Sequence, residues 1–134
     1  MKSDVLAKRA AELAVDELAQ EIVILDLREL SDVVDFFVIM SGMSEHHLVA
    51  ISNGISEGLK GEGTAPYHRE GEPGSHWILL DYVDVVVHVF SPMTRQFYAL
   101  EELWGDAPIE RIASRRTAPE GYDSPDDEDQ DAEY

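Results

Sequence analysis

The sequence predicts an α/β fold with a mostly antiparallel or mixed sheet. Three observations carry that prediction. Leu6, Ala10, Leu13, Ala14 and Leu18 recur at helical spacing near the start of the chain. Two short runs rich in β-branched and aromatic residues follow, IVILDL (Ile22–Leu27) and FFVIMSG (Phe36–Gly42). A longer stretch, HWILLDYVDVVVHVF (His76–Phe90), divides around Val83-Asp84 into two alternating strands.

The first helix is predicted over Ser3–Gln20, with Ser3 or Asp4 at its cap. RELSDVVD connects the first two strands. Ser44 is a good N-cap for a second helix over Ser44–Leu59, whose stripe is Leu48, Ile51, Ile55 and Leu59. Gly54 and Gly58 each cost that helix about 1 kcal/mol relative to alanine. From Lys60 to Ser75 lie four glycines and two prolines, which predict a loop with one short edge strand near Pro66–Arg69. After the hairpin, Ser91-Pro92 is a helix start, and TRQFYALEELW is predicted as one helix ending at Gly105. Beyond Pro108 the chain turns polar. The length of 134 residues fits one domain, over 1–116, with residues 117–134 as an acidic tail whose composition predicts disorder.

The formal charge is −18, of which residues 117–134 contribute −8 from eight acidic and no basic residues. Residues 1–116 hold 20 acidic and 10 basic side chains, a balance of −10. Such a body argues against direct grip on nucleic-acid phosphates, because that affinity comes mainly from Lys and Arg, and no direct sequence-specific nucleic-acid binding is expected. It suits a basic protein partner, or it serves solubility alone. Absence of cysteine excludes disulfides, zinc-thiolate sites and thiol catalysis. With neither a signal-type apolar core nor a run of membrane-spanning length, the chain is expected to be a soluble cytoplasmic protein.

No enzyme chemistry assembles from the motifs. The glycines make no phosphate loop. The SGMS turn between strand and helix places backbone N–H groups where an anion could sit, but strand-to-helix punctuation explains it as well. Asp26, Asp35, Asp81 and Asp84 lack the i, i+2 spacing of a carboxylate pair on a metal pair. His46 and His47 are adjacent on a helix and point about 100° apart, which makes no chelate. Whether His68, His76 and His88 meet in space cannot be read from spacing. No catalytic residue, metal or cofactor is predicted.

If Val83-Asp84 is a tight turn, position 82 pairs with 85, 80 with 87 and 78 with 89. One face then carries Ile78, Leu80, Tyr82, Val85, Val87 and Val89, and should pack under helices. The other carries Trp77, Leu79, Asp81, Val86, His88 and Phe90. That mixture suits a surface that meets a partner, or one that another part of the fold covers. Val-Asp is a poor pair for such a turn, lacking a residue that accepts positive φ, and a slip of one residue would exchange the faces.

LDLRELSDVVDFFVIMSGMSEHHLVAI, followed by HWILLDYVDVVVHVFSPMTRQFYALEELWGDAP, resembles the ribosomal silencing factor family, RsfS, also called Iojap, over about Leu6–Pro108. The resemblance implies a mixed sheet flanked by helices, similar to nucleotidyltransferases without their catalytic carboxylates. It also implies binding to protein number fourteen of the large ribosomal subunit, on its intersubunit face. The bound factor would keep the small subunit from joining and lower translation under nutrient limitation. Alternatives are a large-subunit assembly factor or a residual nucleotide binder. Homodimers are implied as well.

The positions that match are Trp77, Leu79, Leu80, Asp81, Tyr82, His88, Arg95, Tyr98 and Trp104. The resemblance makes Trp77, Tyr82 and Tyr98 aromatic anchors and pairs Asp81 with a basic group of the partner. Leu80 and Tyr82 lie on the face expected to be core, and Trp104 is expected to pack the last helix on the sheet. Val83 stands where the family usually has glycine. His46-His47 replaces a more usual polar pair and is expected on a solvated helix face. The acidic tail lies outside the resemblance.

Overall fold

The computed structural model describes residues 1–72 and 74–114; the predicted acidic tail lies outside them. Its elements are α1 (Ser3–Asp16), β1 (Gln20–Asp26), β2 (Phe36–Ser41), α2 (Glu45–Gly61), β3 (His68–Glu70), β4 (Trp77–Asp81), β5 (Val85–Phe90), α3 (Pro92–Tyr98), α4 (Leu100–Leu103) and β6 (Ile109–Ile112). One six-stranded sheet runs in the order β3-β4-β5-β2-β1-β6. β2 and β5 pair in parallel and every other neighbour is antiparallel, so the sheet is mixed. A parallel pair needs a crossover connection, and α2 with the β3–β4 hairpin supplies it.

α1 and α2 cover one face of the sheet. Leu6, Ala10 and Ala14 of α1 and Leu48, Ile51, Ile55 and Leu59 of α2 pack against Ile24, Val38, Met40, Ile78, Leu80 and Val87. The helices also press on each other: a Cβ built on Gly58 would lie 2.7 Å from a Leu13 methyl, and one on Gly54 would run into the Glu17 carboxylate. Each glycine's cost in helix propensity is therefore offset by close packing.

Several boundaries differ from expectation for local reasons. α1 stops at Asp16 because Leu18 turns left-handed (φ 66). Glu21 follows at φ 53, where the β1–β2 register shifts between Gln20 and Val23. Neither Ser3 nor Asp4 is the N-cap: Lys2 holds that position without a side-chain bond, and the Ser3 hydroxyl donates to Asp35 at 2.8 Å. Ser44 and Ser91 do cap α2 and α3, accepting from His47 N–H and Thr94 N–H, with Pro92 in the first turn of α3. The last predicted helix is broken in two at Ala99, which adopts φ 48. β6 was not expected, because IERI has exposed charges and no alternation strong enough to announce a strand; its pairing with Ile22–Leu25 creates it.

The β4–β5 hairpin has the predicted register, with Ile78 opposite Val89 and Leu80 opposite Val87. Tyr82 N–H donates to the Val85 carbonyl at 2.8 Å, and Asp84 N–H to the Tyr82 carbonyl at 3.0 Å. Val83 sits between them at φ 76. This is a γ-turn with a β-branched residue in a left-handed conformation, a strained arrangement. The Asp81 carboxylate compensates by accepting Val83 N–H at 2.7 Å.

Two substitutions test this reading of the backbone. Val83→Gly should raise the unfolding free energy by about 1 kcal/mol, because the relieved strain exceeds the added chain entropy. An unchanged or lower midpoint in urea would remove the case for strain. Gly71 has φ 111, and a Cβ there would meet the Trp77 carbonyl oxygen at 2.8 Å and Ile78 Cα at 2.9 Å. Gly71→Ala should therefore cost about 2 kcal/mol or more in the same measurement.

Candidate partner-binding face

The second face of the sheet is built by alternation. β4 contributes Trp77, Leu79 and Asp81, β5 contributes Val86, His88 and Phe90, and β2 contributes Phe37 and Ile39. A strap formed by α3 and α4 partly covers it. Leu100, Trp104 and Ala107 pack with Val23, Leu25, Ile39, Phe90 and Trp77 in a second apolar cluster. The fold thus covers this face only in part. Its β5 side is enclosed and its β4 side is half-buried.

Aromatic rings dominate the enclosed side. The Trp77 indole lies 4.8 Å from Phe90 and 4.6 Å from Tyr98, centroid to centroid. Phe37 meets His88 edge-on at 4.5 Å and Trp104 at 6.2 Å. Trp77 Nε1 donates to His88 Nδ1 at 3.2 Å, which leaves the imidazole proton on Nε2. That Nε2 is buried without a hydrogen-bond partner, and His88 is 4% exposed. Burial pushes the His88 pKa down to about 4, since a charged imidazolium there would lose its hydration. The bond helps fix the Trp77 rotamer.

The other matched positions divide by depth. Leu79 and Asp81 are half-buried beside Trp77, and Tyr98 is 48% exposed. Trp104 packs the strap on the sheet, as expected. Leu80 and Tyr82 are 0% and 7% exposed in the core beneath the helices, so neither side chain can touch a partner. The anchor expected at Tyr82 is corrected accordingly, because its parity in β4 sends it inward. His88 is likewise too enclosed for direct contact; it positions Trp77. Arg95 is a clamp rather than a contact: Nη1 donates to Ser41 Oγ at 2.9 Å, while Nε and Nη2 donate to Glu101 at 3.1 and 2.6 Å.

Phe97, Met93 and Leu103 were not singled out from sequence, although they are 80%, 82% and 71% exposed. In one continuous helix Phe97, Leu100 and Trp104 would share a stripe at i, i+3 and i+7. The break at Ala99 separates them, taking Leu100 and Trp104 to the sheet and leaving Phe97 outside.

Two backbone N–H groups of the SGMS turn, and the Ser44 hydroxyl, bond internally. Gly42 N–H donates to the Phe90 carbonyl, Met43 N–H to His47 Nδ1 at 2.9 Å, and His47 N–H to Ser44 Oγ at 3.1 Å. With Nδ1 accepting, His47 Nε2 donates to the Glu17 carbonyl at 2.9 Å. His47 therefore ties the end of α1 to the start of α2, and only His46 lies on a solvated face. His68 pairs with Glu70 and His76 approaches Glu45, both away from the buried His88. A separate cleft of about 610 Å³ between α1 and β6 has its Lys8 paired with Glu110 and its Arg28 paired with Asp26.

His88 makes stability depend on acid. Its folded pKa is depressed below the unfolded value of 6.5. The unfolded chain therefore takes up the proton first as pH falls. The contribution is complete above about pH 6.5 and is lost progressively down to about pH 4. Urea unfolding at about pH 7 and about pH 5 should show the natural protein losing about 2 kcal/mol more than His88→Gln. Parallel losses in the two proteins would mean that His88 is not held neutral.

The chain matches the family model described as "Ribosomal silencing factor during starvation" over residues 1–133. It is 38% identical over 109 residues to the ribosomal silencing factor RsfS of Bacillus subtilis, covering 81% of this chain and 92% of that protein. A mouse relative, "Mitochondrial assembly of ribosomal large subunit protein 1", is 32% identical over 113 residues, covering 79% of this chain and 49% of that one. A crystal structure of a protein from Chromobacterium violaceum superposes with a TM-score of 0.76 at 29% identity, covering 87% of this chain and 98% of that one. The chain belongs to the ribosomal silencing factor family, RsfS.

Proposed function

We propose that this protein binds protein number fourteen of the large ribosomal subunit through the second face of its sheet. Bound there, it stands where the small subunit must dock and represses translation when nutrients are limiting. It works as a steric block in the cytoplasm and performs no chemistry of its own. The observation that carries the reading is the half-buried Trp77, held in place by His88, Phe90 and Tyr98 beside Leu79 and Asp81. Preset aromatic residues of this kind supply much of the energy of protein interfaces. The formal charge of −18 suits a basic partner. A homodimer, also implied by the family resemblance, would have to leave this face open or release it on binding.

A second reading is assembly of the large subunit, favoured by likeness to the mouse protein whose name states that role. Both readings require binding to the large subunit, but only the first requires a block.

Purified subunits mixed with increasing amounts of the protein should join less, read as a fall in scattered light. Trp77→Ala should weaken binding to large subunits at least about tenfold and restore joining. Binding without any effect on joining would favour assembly over silencing. Lack of binding would overturn both.

A further inference from the structure

The strap has an outer apolar row that the fold does not use. Met93 and Phe97 are four residues apart on α3, on one side of the helix, and both are at least 80% exposed. Leu103 of α4 is also mostly exposed. The row is continuous with the candidate face, since Phe97 meets Tyr98 edge-on at 5.1 Å and Tyr98 meets Trp77 at 4.6 Å. Large apolar side chains grouped this way on a small domain mark a contact surface. Among residues 91–106 the acidic side chains are Glu101, Glu102 and Asp106, against one cation, Arg95. That cation is already paired with Glu101.

We propose that Met93 and Phe97 form a second contact ridge, which seats on an apolar patch rimmed by Lys and Arg on the same basic protein that covers Trp77. This rests on the function proposed above and extends its interface from the sheet onto the strap. A second copy of this chain is a poorer occupant, because a symmetric contact would bring two net-acidic straps together. A basic partner meets both features of the strap, its exposed apolar row and its excess of acidic side chains.

The test uses the full chain and purified large-subunit protein number fourteen on a biosensor surface, with light scattering of the free chain alongside. The variants are Met93→Gln with Phe97→Gln, Phe97→Gln alone, Glu102→Lys, and Trp77→Ala. Glutamine is a good helix former and the replaced side chains lie outside the core, so thermal midpoints should stay near that of the natural chain. The double variant should weaken binding at least about tenfold. Phe97→Gln alone should carry most of that loss. Glu102→Lys should weaken binding a few-fold at low salt, and the difference should shrink at high salt. If Trp77→Ala weakens binding while both glutamine variants stay within about twofold of the natural chain, the ridge is overturned and the sheet face stands. If a dimer of the natural chain becomes monomeric in the double variant, a second copy covers the ridge and the proposal is wrong. If the natural chain does not bind this protein at all, the proposed function fails and takes the ridge with it.

Discussion

A slip of one residue between β4 and β5 would carry Trp77, Leu79, His88 and Phe90 beneath α1 and α2, and put Ile78, Leu80 and Val87 on the other side. The pairing that prevents it is held at one end by the tight turn at Val83, where the Asp81 carboxylate accepts the Val83 N–H. It is held along its length by the parallel pairing of β5 with β2, which runs from Phe36↔Val85 to Ser41↔Phe90. A β-branched residue at positive φ is an unfavourable way to close a hairpin. The turn persists because burial on both faces fixes the register more strongly than the local conformation opposes it.

Once the register is fixed, the two faces take different chemistry. The helical face is almost wholly aliphatic and excludes water. The opposite face buries an imidazole with one nitrogen bonded to an indole and the other without a partner. A buried polar group of this kind costs stability. What it provides in exchange is orientation: Trp77 is pinned from below by His88 and flanked by Phe90 and Tyr98. The strap closes over the enclosed half of this face through Leu100 and Trp104, and Arg95 ties α3 to Ser41 of β2 and to Glu101 of α4. Rigid aromatic residues beside an incompletely covered sheet form the surface on which the proposed protein contact rests.

The acidic balance belongs to the same picture. A family of ribosomal silencing factors works among basic proteins and phosphate-rich RNA, and negative charge favours the first while repelling the second. Charge alone selects no residue. The half-buried β4 side chains and the outer row of α3 occupy positions that the fold leaves accessible, which is what the proposed interface requires.

Much of this was legible in the sequence. Periodicity gave α1, α2 and the first two strands, Ser44 and Ser91-Pro92 marked their helix starts, and alternation assigned every hairpin residue to its correct face. The motifs by themselves placed the chain near the RsfS family. What they lacked was any property that depends on distant neighbours. β6 exists only because β1 offers it a ladder, and α1 ends early only because the chain must turn into a bulged strand. Local preference favoured one long helix after Pro92, yet packing of Leu100 and Trp104 on the sheet goes with a break at Ala99. That break turned Phe97 outward and set Arg95 as a clamp. Local sequence determines periodicity and caps because those forces act within a few residues. Depth of burial, and therefore which matched residues can meet a partner, is decided by the tertiary structure, because it depends on what packs above them.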